Sequence, residues 1–205
     1  GGKYESATLD LNDRGQVVGH SNVEKYQHAF VWAPATGMQD LGVPAGYLES
    51  AAYGINDRGE IAGYAQLNNN TAAAFFWTPT TGFTVIPDLA GGRDLARGRS
   101  INNSGQISGS AEPTAGRRAF LWDALNGMRD LGTLASNYEA SLSYDLNNAG
   151  QVIGRSDAFT GQSDGFLWDP QTCTMRVIDD LPGGVIDTTA RRINDVGQVV
   201  GNASS

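Results

Sequence analysis

The chain has 205 residues, of which 40% are apolar, 18% are charged and 27 are glycine, and its formal net charge is −8 at pH 7. The acidic balance argues against binding to the phosphate backbone of nucleic acids, and no apolar run reaches the roughly 18 residues of a membrane-spanning helix. A lone Cys173 excludes an internal disulfide and a cysteine-rich zinc site. The glycine content indicates many short strands joined by tight turns.

One short phrase occurs five times along the chain. Its copies are LNDRGQVVG, INDRGEIAG, INNSGQISG, LNNAGQVIG and INDVGQVVG, which begin at residues 11, 55, 101, 146 and 193. Their central glycines lie 44, 46, 45 and 47 residues apart, at Gly15, Gly59, Gly105, Gly150 and Gly197. A period of this length indicates a repeat architecture.

In chain order, each repeat predicts four strands, which we designate A to D. Strand A ends at the first residues of the phrase, as in ESATLDLN, and N-[DN]-x-G predicts a tight turn with its glycine at positive φ. Strand B begins at QVVG or its counterpart. Strand C is HAFVW, AAFFW, RAFLW or DGFLW, and strand D is GMQDLG or a variant of it. The last repeat contains only strands A and B.

Four-stranded units of about 45 residues with one aromatic at a fixed place predict an all-β fold of the β-propeller type. We expect a single domain over residues 1–205, with repeats at about 4–43, 47–90, 93–134 and 138–182 and a half repeat at 187–203. This arrangement predicts five blades, the fifth incomplete or shared. The recurring tryptophans are interpreted as packed between neighbouring blades; they are Trp32, Trp77, Trp122 and Trp168. A β-solenoid is the alternative fold.

The phrases INDVGQVVG, HAFVW and MRDLGTL resemble the repeat of bacterial extracellular proteins that are named HAF-repeat proteins after the tripeptide His-Ala-Phe. The resemblance extends over residues 4–203, although only the first copy keeps the whole tripeptide, at His28-Ala29-Phe30. This departure argues against the histidine as a recurring ligand. The resemblance implies an exported, propeller-like protein, extracellular or at the cell surface, and it implies no activity. The sequence itself contains no signal peptide.

In a propeller, the A–B and C–D turns emerge on one side, and the B–C loops and D–A connections on the other. The A–B turns hardly differ between copies, whereas B–C loops such as SNVEKYQ and SDAFTGQSD differ freely. Where the copies differ, the residues are not required for the packing that all repeats share, and such positions often carry function. We therefore expect ligand binding on the side of the B–C loops and D–A connections.

Two sets of residues near this side could bind a ligand. Acidic residues lie ten or eleven positions before every turn glycine, at Glu5, Glu49, Asp94, Glu139 and Asp187. A second position, two residues before the end of strand A, is occupied by Leu9, Tyr53, Arg99, Tyr144 and Arg191, with Arg97 close by. If strand A lines the central channel, these side chains surround one mouth and suit a carbohydrate or a small anion. Alternatively, the acids cap backbone groups and the arginines pair with the acids.

The favoured function is a binding or scaffold module with a carbohydrate ligand. The expected ligand-binding residues are Tyr47, Glu49, Tyr53, Arg97, Arg99, Tyr138, Glu139, Tyr144, Asp187 and Arg191. One alternative is a glycosidase or lyase whose catalytic carboxylates come from Glu49, Asp94, Glu139 and Asp187. Another is a structural repeat protein without a ligand. Only two histidines occur, His20 and His28, so a Ser-His-Asp triad is not expected.

No metal or cofactor is predicted. The segment DLNDRG at residues 10–15 is loosely similar to a calcium loop, but its first acid recurs only at Asp145. Hairpin geometry accounts for the asparagine and the glycine without a metal. The expected partner is a glycan, with no nucleic acid and no membrane insertion. The protein is expected to be a monomer, or an oligomer that forms through the open edges of the half blade.

Overall fold

Each A–B hairpin closes through the turn that its sequence predicts. In the computed structural model, which describes residues 5–68, 71–114, 116–179 and 187–203, the five turn glycines have φ between +71° and +80°. In the first turn, the Gly15 N–H donates to the Asn12 carbonyl at 3.0 Å. The Asn12 side chain folds back over the turn, and its Oδ1 accepts from the Arg14 and Gln16 N–H groups at 3.1 and 3.0 Å. The predicted positive φ of the turn glycine is thereby confirmed in all five repeats.

The described residues form eighteen strands in five antiparallel sheets, numbered here as blades one to five. Blade one contains β1 (Ser6–Leu11), β2 (Val17–Val23), β3 (Tyr26–Ala33) and β4 (Gly37–Gly42). Blade two contains β5 (Glu49–Ile55), β6 (Ile61–Asn68), β7 (Thr71–Thr78) and β8 (Gly82–Val85). Blade three contains β9 (Arg97–Ile101), β10 (Ile107–Ala111), β11 (Arg118–Asp123) and β12 (Gly127–Asp130). Blade four contains β13 (Tyr138–Leu146), β14 (Val152–Ala158), β15 (Ser163–Asp169) and β16 (Thr174–Val177), and blade five contains β17 (Thr188–Ile193) and β18 (Val199–Ala203).

The inner strand of every blade is strand A. In blades one to four the strands pair in the order A-B-C-D, and β1, β5, β9, β13 and β17 pack against one another in succession. Turn residues from all five blades line a single central cavity of about 220 Å³. The fold is therefore a β-propeller, as predicted. Within the described residues, no helix has the length and apolar character needed to cross a membrane.

The core of each complete blade contains the phenylalanine of strand C. Phe30, Phe75, Phe120 and Phe166 are at most 2% exposed. Each ring lies against the glycine of strand B, as Phe75 does against Gly63, where an added Cβ would collide with the ring and with the Ala51 carbonyl. The glycine that ends QVVG thus permits a close approach of strand A, strand B and the phenylalanine.

The interfaces between blades repeat one arrangement. The last apolar residue of strand A packs against strands B and C of the preceding blade, as Ile55 does in a cluster with Val18 and Val31. The strand C tryptophan packs toward the preceding blade as well: the Trp122 ring is 5.6 Å from that of Phe76. Trp77 packs against the blade one–two cluster and Trp168 is buried. Trp168 clusters with Leu121 and Leu131 of blade three, so the interblade interpretation is confirmed for Trp77, Trp122 and Trp168.

Blades one and five do not pack on each other in this way. Leu11 of blade one is 67% exposed, whereas its four counterparts in blades two to five are at most 9% exposed. On the facing side, Val200 of β18 is 63% exposed, whereas its counterpart Val18 is fully buried. Trp32, which points toward the same seam, is also exposed. The described part of the ring is therefore open between its first and fifth blades.

Candidate functional site

A β-bulge in strand A directs one side chain of each blade toward the channel. The pairing of strands A and B skips one residue at the same place in all five blades. The skipped residues are Leu9, Tyr53, Arg99, Tyr144 and Arg191, the variable position found in the sequence. A bulge leaves its extra residue outside the ladder and re-aims its side chain. The architecture therefore presents a position whose chemistry differs from blade to blade.

These bulge residues form a stacked array with neighbouring side chains. The Arg99 guanidinium lies 5.6 Å from the centre of the Tyr53 ring and 5.7 Å from that of Tyr144. The Arg191 guanidinium lies 4.8 Å from the Tyr144 ring, so two cations share this aromatic. These distances fit cation–π contacts. The array continues into blade two, where Tyr64 lies 5.6 Å from Tyr53 by ring centres and 4.7 Å from the Arg97 guanidinium. We call these residues the Tyr/Arg array: Tyr53, Tyr64, Arg97, Arg99, Tyr144 and Arg191.

A cavity of about 320 Å³ adjoins the array on the side of the B–C loops and D–A connections. We call this end of the channel the loop mouth, and the end surrounded by the A–B turns the turn mouth. The lining comes from the D–A connection that precedes blade three and from strand A, strand B and the B–C loop of that blade. It comprises Leu95, Arg97, Arg99, Ser110, Glu112 and Arg117. The volume of this cavity and its polar lining suit a small ligand.

The cations of the loop mouth differ in how they are partnered. Arg117 makes two hydrogen bonds to the Glu112 carboxylate, at 2.6 and 3.0 Å. Among the described residues, neither Arg97 nor Arg99 has a carboxylate within ion-pair distance, and the buried Arg99 Nε has no hydrogen-bond partner. The interpretation that the arginines pair with the acidic ring is thus wrong for Arg97, Arg99 and Arg191 within the described residues. The Arg191 Nε donates to Asn202 Oδ1 at 3.3 Å, whereas the guanidinium donors of Arg97 and Arg99 form no hydrogen bond with other described residues and are available to a ligand.

The Tyr64 phenol of the array stays neutral around pH 7. Burial raises the pKa of Tyr64 above its usual value, and the neighbouring Tyr53 adds to the shift, while the Arg97 cation opposes it. A neutral phenol can donate one hydrogen bond and accept another. Together with the guanidinium groups, the array therefore offers donors, acceptors and flat apolar faces within a few ångströms.

The structure brings five of the ten predicted ligand-binding residues into the Tyr/Arg array: Tyr53, Arg97, Arg99, Tyr144 and Arg191. The other two predicted tyrosines are used differently. Tyr47 packs against the core between blades one and two. The Tyr138 hydroxyl donates to the buried Asp164 carboxylate of β15, and this bond raises the pKa of Tyr138 to about 12.

The acidic residues form no comparable cluster. Glu5, Asp94, Glu139 and Asp187 are exposed, whereas Glu49 is half-buried near Tyr64. Their carboxylates form no hydrogen bond with other described residues, so the capping interpretation finds no support in this part of the chain. No group of three or more His, Cys, Asp or Glu side chains within the described ranges is placed to hold a metal ion.

The turn mouth carries a ladder of asparagines whose role the sequence did not reveal. The Asn56 Nδ2 donates to the Asn102 carbonyl of the next blade at 3.0 Å. The same bond joins Asn12 to Asn56, Asn102 to Asn147 and Asn147 to Asn194, at 2.8 to 3.2 Å. In the described residues no such bond joins Asn194 back to Asn12. The presence of the same asparagine in all five copies could have indicated these interblade bonds, but the geometry of the turn was already a sufficient reason for an asparagine there.

A second ladder runs through the next residue of each turn. The Asp13 N–H donates to Asp57 Oδ1 at 3.0 Å, and the Asp57 N–H donates to Asn103 Oδ1 at 2.9 Å. The bond from Asn103 Nδ2 lowers the pKa of Asp57. Below this ladder, Asp10 Oδ2 accepts from the Ile55 N–H at 2.9 Å, and burial raises the pKa of Asp10. Side chains of the turn mouth are therefore engaged in contacts between blades.

Solved structures with the same fold are distant in sequence. TolB from Acinetobacter baumannii superposes with a TM-score of 0.63 at 12% identity, over 98% of this chain and 55% of that one. A putative TolB from Agrobacterium tumefaciens gives 0.58 at 14% identity, over 79% of this chain and 60% of that one. The β-propeller domain of the Trilobed protease from Pyrococcus furiosus, described as revealing an open velcro topology, gives 0.56 at 12% identity, over 85% and 52%. The chain thus spans between half and three fifths of these structures, and the likeness shows the fold alone.

The sequence comparisons point to one family. A search of curated proteins found no match. Residues 2–136 match the family described as Protein of unknown function (DUF3466). Because this match covers more than half of the 205 residues, the chain belongs to the DUF3466 family.

Proposed function

We propose that this propeller is a binding module that holds a carbohydrate at its loop mouth. The β-propeller fold is that of a binding or scaffold module, and the ligand class is argued from the Tyr/Arg array. The main supporting observation is that Arg99 lies between Tyr53 and Tyr144; the three residues come from three successive inner strands. Arg99 has no carboxylate partner among the described residues. Arg97 and Arg99 of the array line a cavity of about 320 Å³.

The chemistry of the array suits a sugar. Aromatic rings present flat apolar faces that can cover the C–H face of a pyranose, with phenol hydroxyls at their edges. Guanidinium groups supply several donors in fixed geometry, which can bind ring hydroxyls or a sugar carboxylate. Since the bulge positions carry a leucine in blade one but aromatic or cationic residues in blades two to five, the proposed ligand lies nearer to blades two to five.

The proposal also includes where the protein acts, which is argued from the resemblance of its repeat. The resemblance of the repeat to HAF-repeat proteins supports an extracellular or cell-surface setting, where a glycan ligand is available. The histidine of that tripeptide has no part in the proposed site. His28 Nδ1 lies 3.0 Å from Asp40 Oδ2 within blade one, so its ring already has a partner.

A glycan array probed with the whole chain tests the proposal. We expect binding to one class of glycan, and we expect Tyr144→Ala and Arg99→Ala each to weaken it tenfold or more, because each removes a face or a donor set. Leu125→Ala is the matched control, since this 90%-exposed residue lies in a C–D turn on the opposite side. A folded protein that binds no glycan would contradict the proposal.

The same experiment separates binding from catalysis. A double variant Glu49→Gln/Glu139→Gln removes two of the carboxylates that a glycosidase would need. If the chain is a binding module, the variant binds the same glycan, and neither protein releases shortened sugars over a day. Turnover by the wild type that the variant loses would assign the site to an enzyme instead.

A further inference from the structure

The loop mouth contains cations that no other side chain of the described residues neutralises. The chain as a whole has a net charge of −8, yet the lining of the 320 Å³ cavity contains three arginines and one carboxylate. One of the three, Arg117, is paired with that carboxylate, Glu112. We propose that the ligand of this site is an acidic sugar whose carboxylate is bound by Arg99 and Arg97. The inference rests on the proposed function, because it names the class of carbohydrate that the same site binds.

The cavity belongs to blade three, which lies between two complete blades. Its strand A, β9, carries Arg97 and Arg99 and packs against β5 of blade two and β13 of blade four. Those neighbouring strands supply Tyr53 and Tyr144. The lining itself comes from blade three and the connection before it. Residues of the described chain therefore form both the cavity and its two flanks, away from the seam between blades one and five.

Buried nitrogen atoms without a hydrogen-bond partner occur at two positions of the repeat. Within the described residues they are His20 Nδ1, Arg99 Nε and Arg155 Nε. Arg99 is the bulge residue of blade three, and His20 and Arg155 each follow the glycine of strand B, where Tyr64 and Ser110 stand in blades two and three. Buried polar groups are nearly always satisfied, so a set of unpartnered ones needs an explanation. A bound ligand that accepts hydrogen bonds provides one.

Arg99 differs from Arg155 in having no carboxylate beside it. The Arg155 Nε lies 3.2 Å from Asp157 Oδ1, whereas Arg99 has no carboxylate within ion-pair distance in the described ranges. The rings of Tyr53 and Tyr144 stabilise the Arg99 charge through cation–π contacts, but they do not accept a hydrogen bond from its Nε. A ligand oxygen at Arg99 Nε would supply the missing acceptor.

The charge of these donors favours a carboxylate as the acceptor. A hydroxyl of a neutral sugar can accept from a guanidinium but leaves its charge uncompensated. A carboxylate compensates the charge and matches the donor fork with its two oxygens, and charge-assisted hydrogen bonds are roughly twice as strong as neutral ones. Arg97, two residues before Arg99, adds a second cation without a carboxylate partner among the described residues. Ser110 adds a hydroxyl to the lining, which suits the remaining hydroxyls of a sugar.

Glycans that differ only at the carboxyl group test the inference on the wild-type protein. The probes are glycans that end in uronic or sialic acids, the same glycans after reduction of the carboxylate to a primary alcohol, and sulfated glycans. We expect the acidic glycans to bind, and we expect the reduction to weaken binding at least tenfold in titration calorimetry, because it removes the charge that Arg99 and Arg97 bind.

The outcomes separate this inference from the proposed function. Neutral or carboxyl-reduced glycans that bind as tightly as the acidic ones overturn the inference and leave a carbohydrate site in place. Binding of sulfated glycans without binding of carboxylate glycans also overturns it. A protein with a normal circular dichroism spectrum that binds none of the probes overturns both.

Two variants locate the carboxylate. In Arg99→Gln, the tenfold difference between the acidic glycan and its reduced form should shrink to threefold or less. Arg129→Gln is the matched control, since it removes the same charge from the exposed outer strand of the same blade, where Arg129 stacks on Trp168, and it should keep the tenfold difference. A difference that persists in Arg99→Gln overturns the assignment. If that variant does not fold, Arg99→Lys replaces it, because lysine keeps the charge without the fork and should weaken binding of the acidic glycan at least tenfold.

Discussion

The two mouths of the channel are built from the same inner strands, and yet they use their side chains in opposite ways. At the turn mouth, Asn56 and its counterparts repeat in every blade and bond each blade to the next. Toward the loop mouth, three residues earlier in the same strands, the residue type at the bulge changes from blade to blade. There Arg99 contacts two tyrosines and no carboxylate in the described part of the chain.

The difference shows how a repeat protein separates stability from recognition. A residue that makes the same interblade contact five times cannot vary without loss at every interface. The bulge re-aims its extra residue in the same way in every blade, but the hydrogen bonds between strands A and B do not depend on which side chain that residue has. The side chains at the loop mouth could therefore differ between blades, while the asparagines of the turn mouth maintained the contacts between neighbouring blades.

The largest expected effect is at the turn mouth. Asn56→Ala should lower the free energy of unfolding by about 3 kcal/mol, because the side chain is buried and its loss leaves turn N–H groups and the Asn102 carbonyl without their partner. Tyr144→Ala at the loop mouth should cost only about 1 kcal/mol, since it removes two cation–π contacts. Urea unfolding of both variants measures the difference.

Asn126→Ala serves as the control for the asparagine. Its side chain bonds to Asp123 in an exposed C–D turn and links no blades, so we expect a loss of about 0.5 kcal/mol. If Tyr144→Ala destabilises the protein as much as Asn56→Ala does, both mouths are structural and the contrast fails.

An intermediate effect is expected at Tyr138, a loop-side residue with a structural bond. Tyr138→Phe should lower the free energy of unfolding by about 1 kcal/mol, because the buried Asp164 carboxylate loses its donor. The pKa of Tyr138 is raised to about 12, mainly by this bond, so its stabilisation is present below pH 10 and is lost as the pH rises toward 12. Thermal unfolding of the wild type and of Tyr138→Phe between pH 8 and 11.5 measures this loss.

Tyr47→Phe is the matched change without such a bond. The Tyr47 hydroxyl has no side-chain hydrogen bond to another described residue, and its ring stays packed against the core. We expect a change below about 0.5 kcal/mol. An equal loss for both variants would show that the Tyr138–Asp164 bond contributes nothing specific.

The smallest effects concern two carboxyl groups of the turn mouth, and they have opposite signs. The pKa of Asp10 is raised by burial, so its contribution to stability is present below its usual pKa and is lost as the pH rises through the raised value. The pKa of Asp57 is lowered by the Asn103 bond, so its contribution is present above its usual pKa and is lost as the pH falls through the lowered value.

Asparagine substitutions make these signs measurable between pH 3 and 7. As the pH rises, Asp10→Asn should gain in unfolding midpoint relative to the wild type, whereas Asp57→Asn should lose. Parallel curves for the two variants would mean that the two carboxyl groups do not differ in environment.

Much of the fold could be predicted because it depends on local chemistry. The turn glycines, the five-fold period and the four-strand unit all follow from residues within one repeat, such as Asn12 and Gly15. The variable bulge position was found by comparing copies, and the structure unites Tyr53, Arg99, Tyr144 and Arg191 there. The binding role of that position stays a prediction. Tyr47 and Tyr138 were expected beside it because the sequence places them next to acids, whereas their rings turn to the core and to Asp164.

Other features depended on contacts between residues that are far apart in the chain. Tyr64 lies on strand B and joins the array only because the ring places it between Tyr53 and Arg97. The asparagine ladder joins residues about 45 positions apart, and no local pattern states which carbonyl each amide will reach.

The sequence by itself determined the repeat, its strands and turns, and the position where the copies differ, because these follow from hydrophobic alternation and from the φ angles that glycine permits. Only the tertiary structure decided which arginines have no carboxylate partner among the described residues and which tyrosines are already bonded. These partnerships are properties of side chains brought together from different blades. No single repeat contains that information.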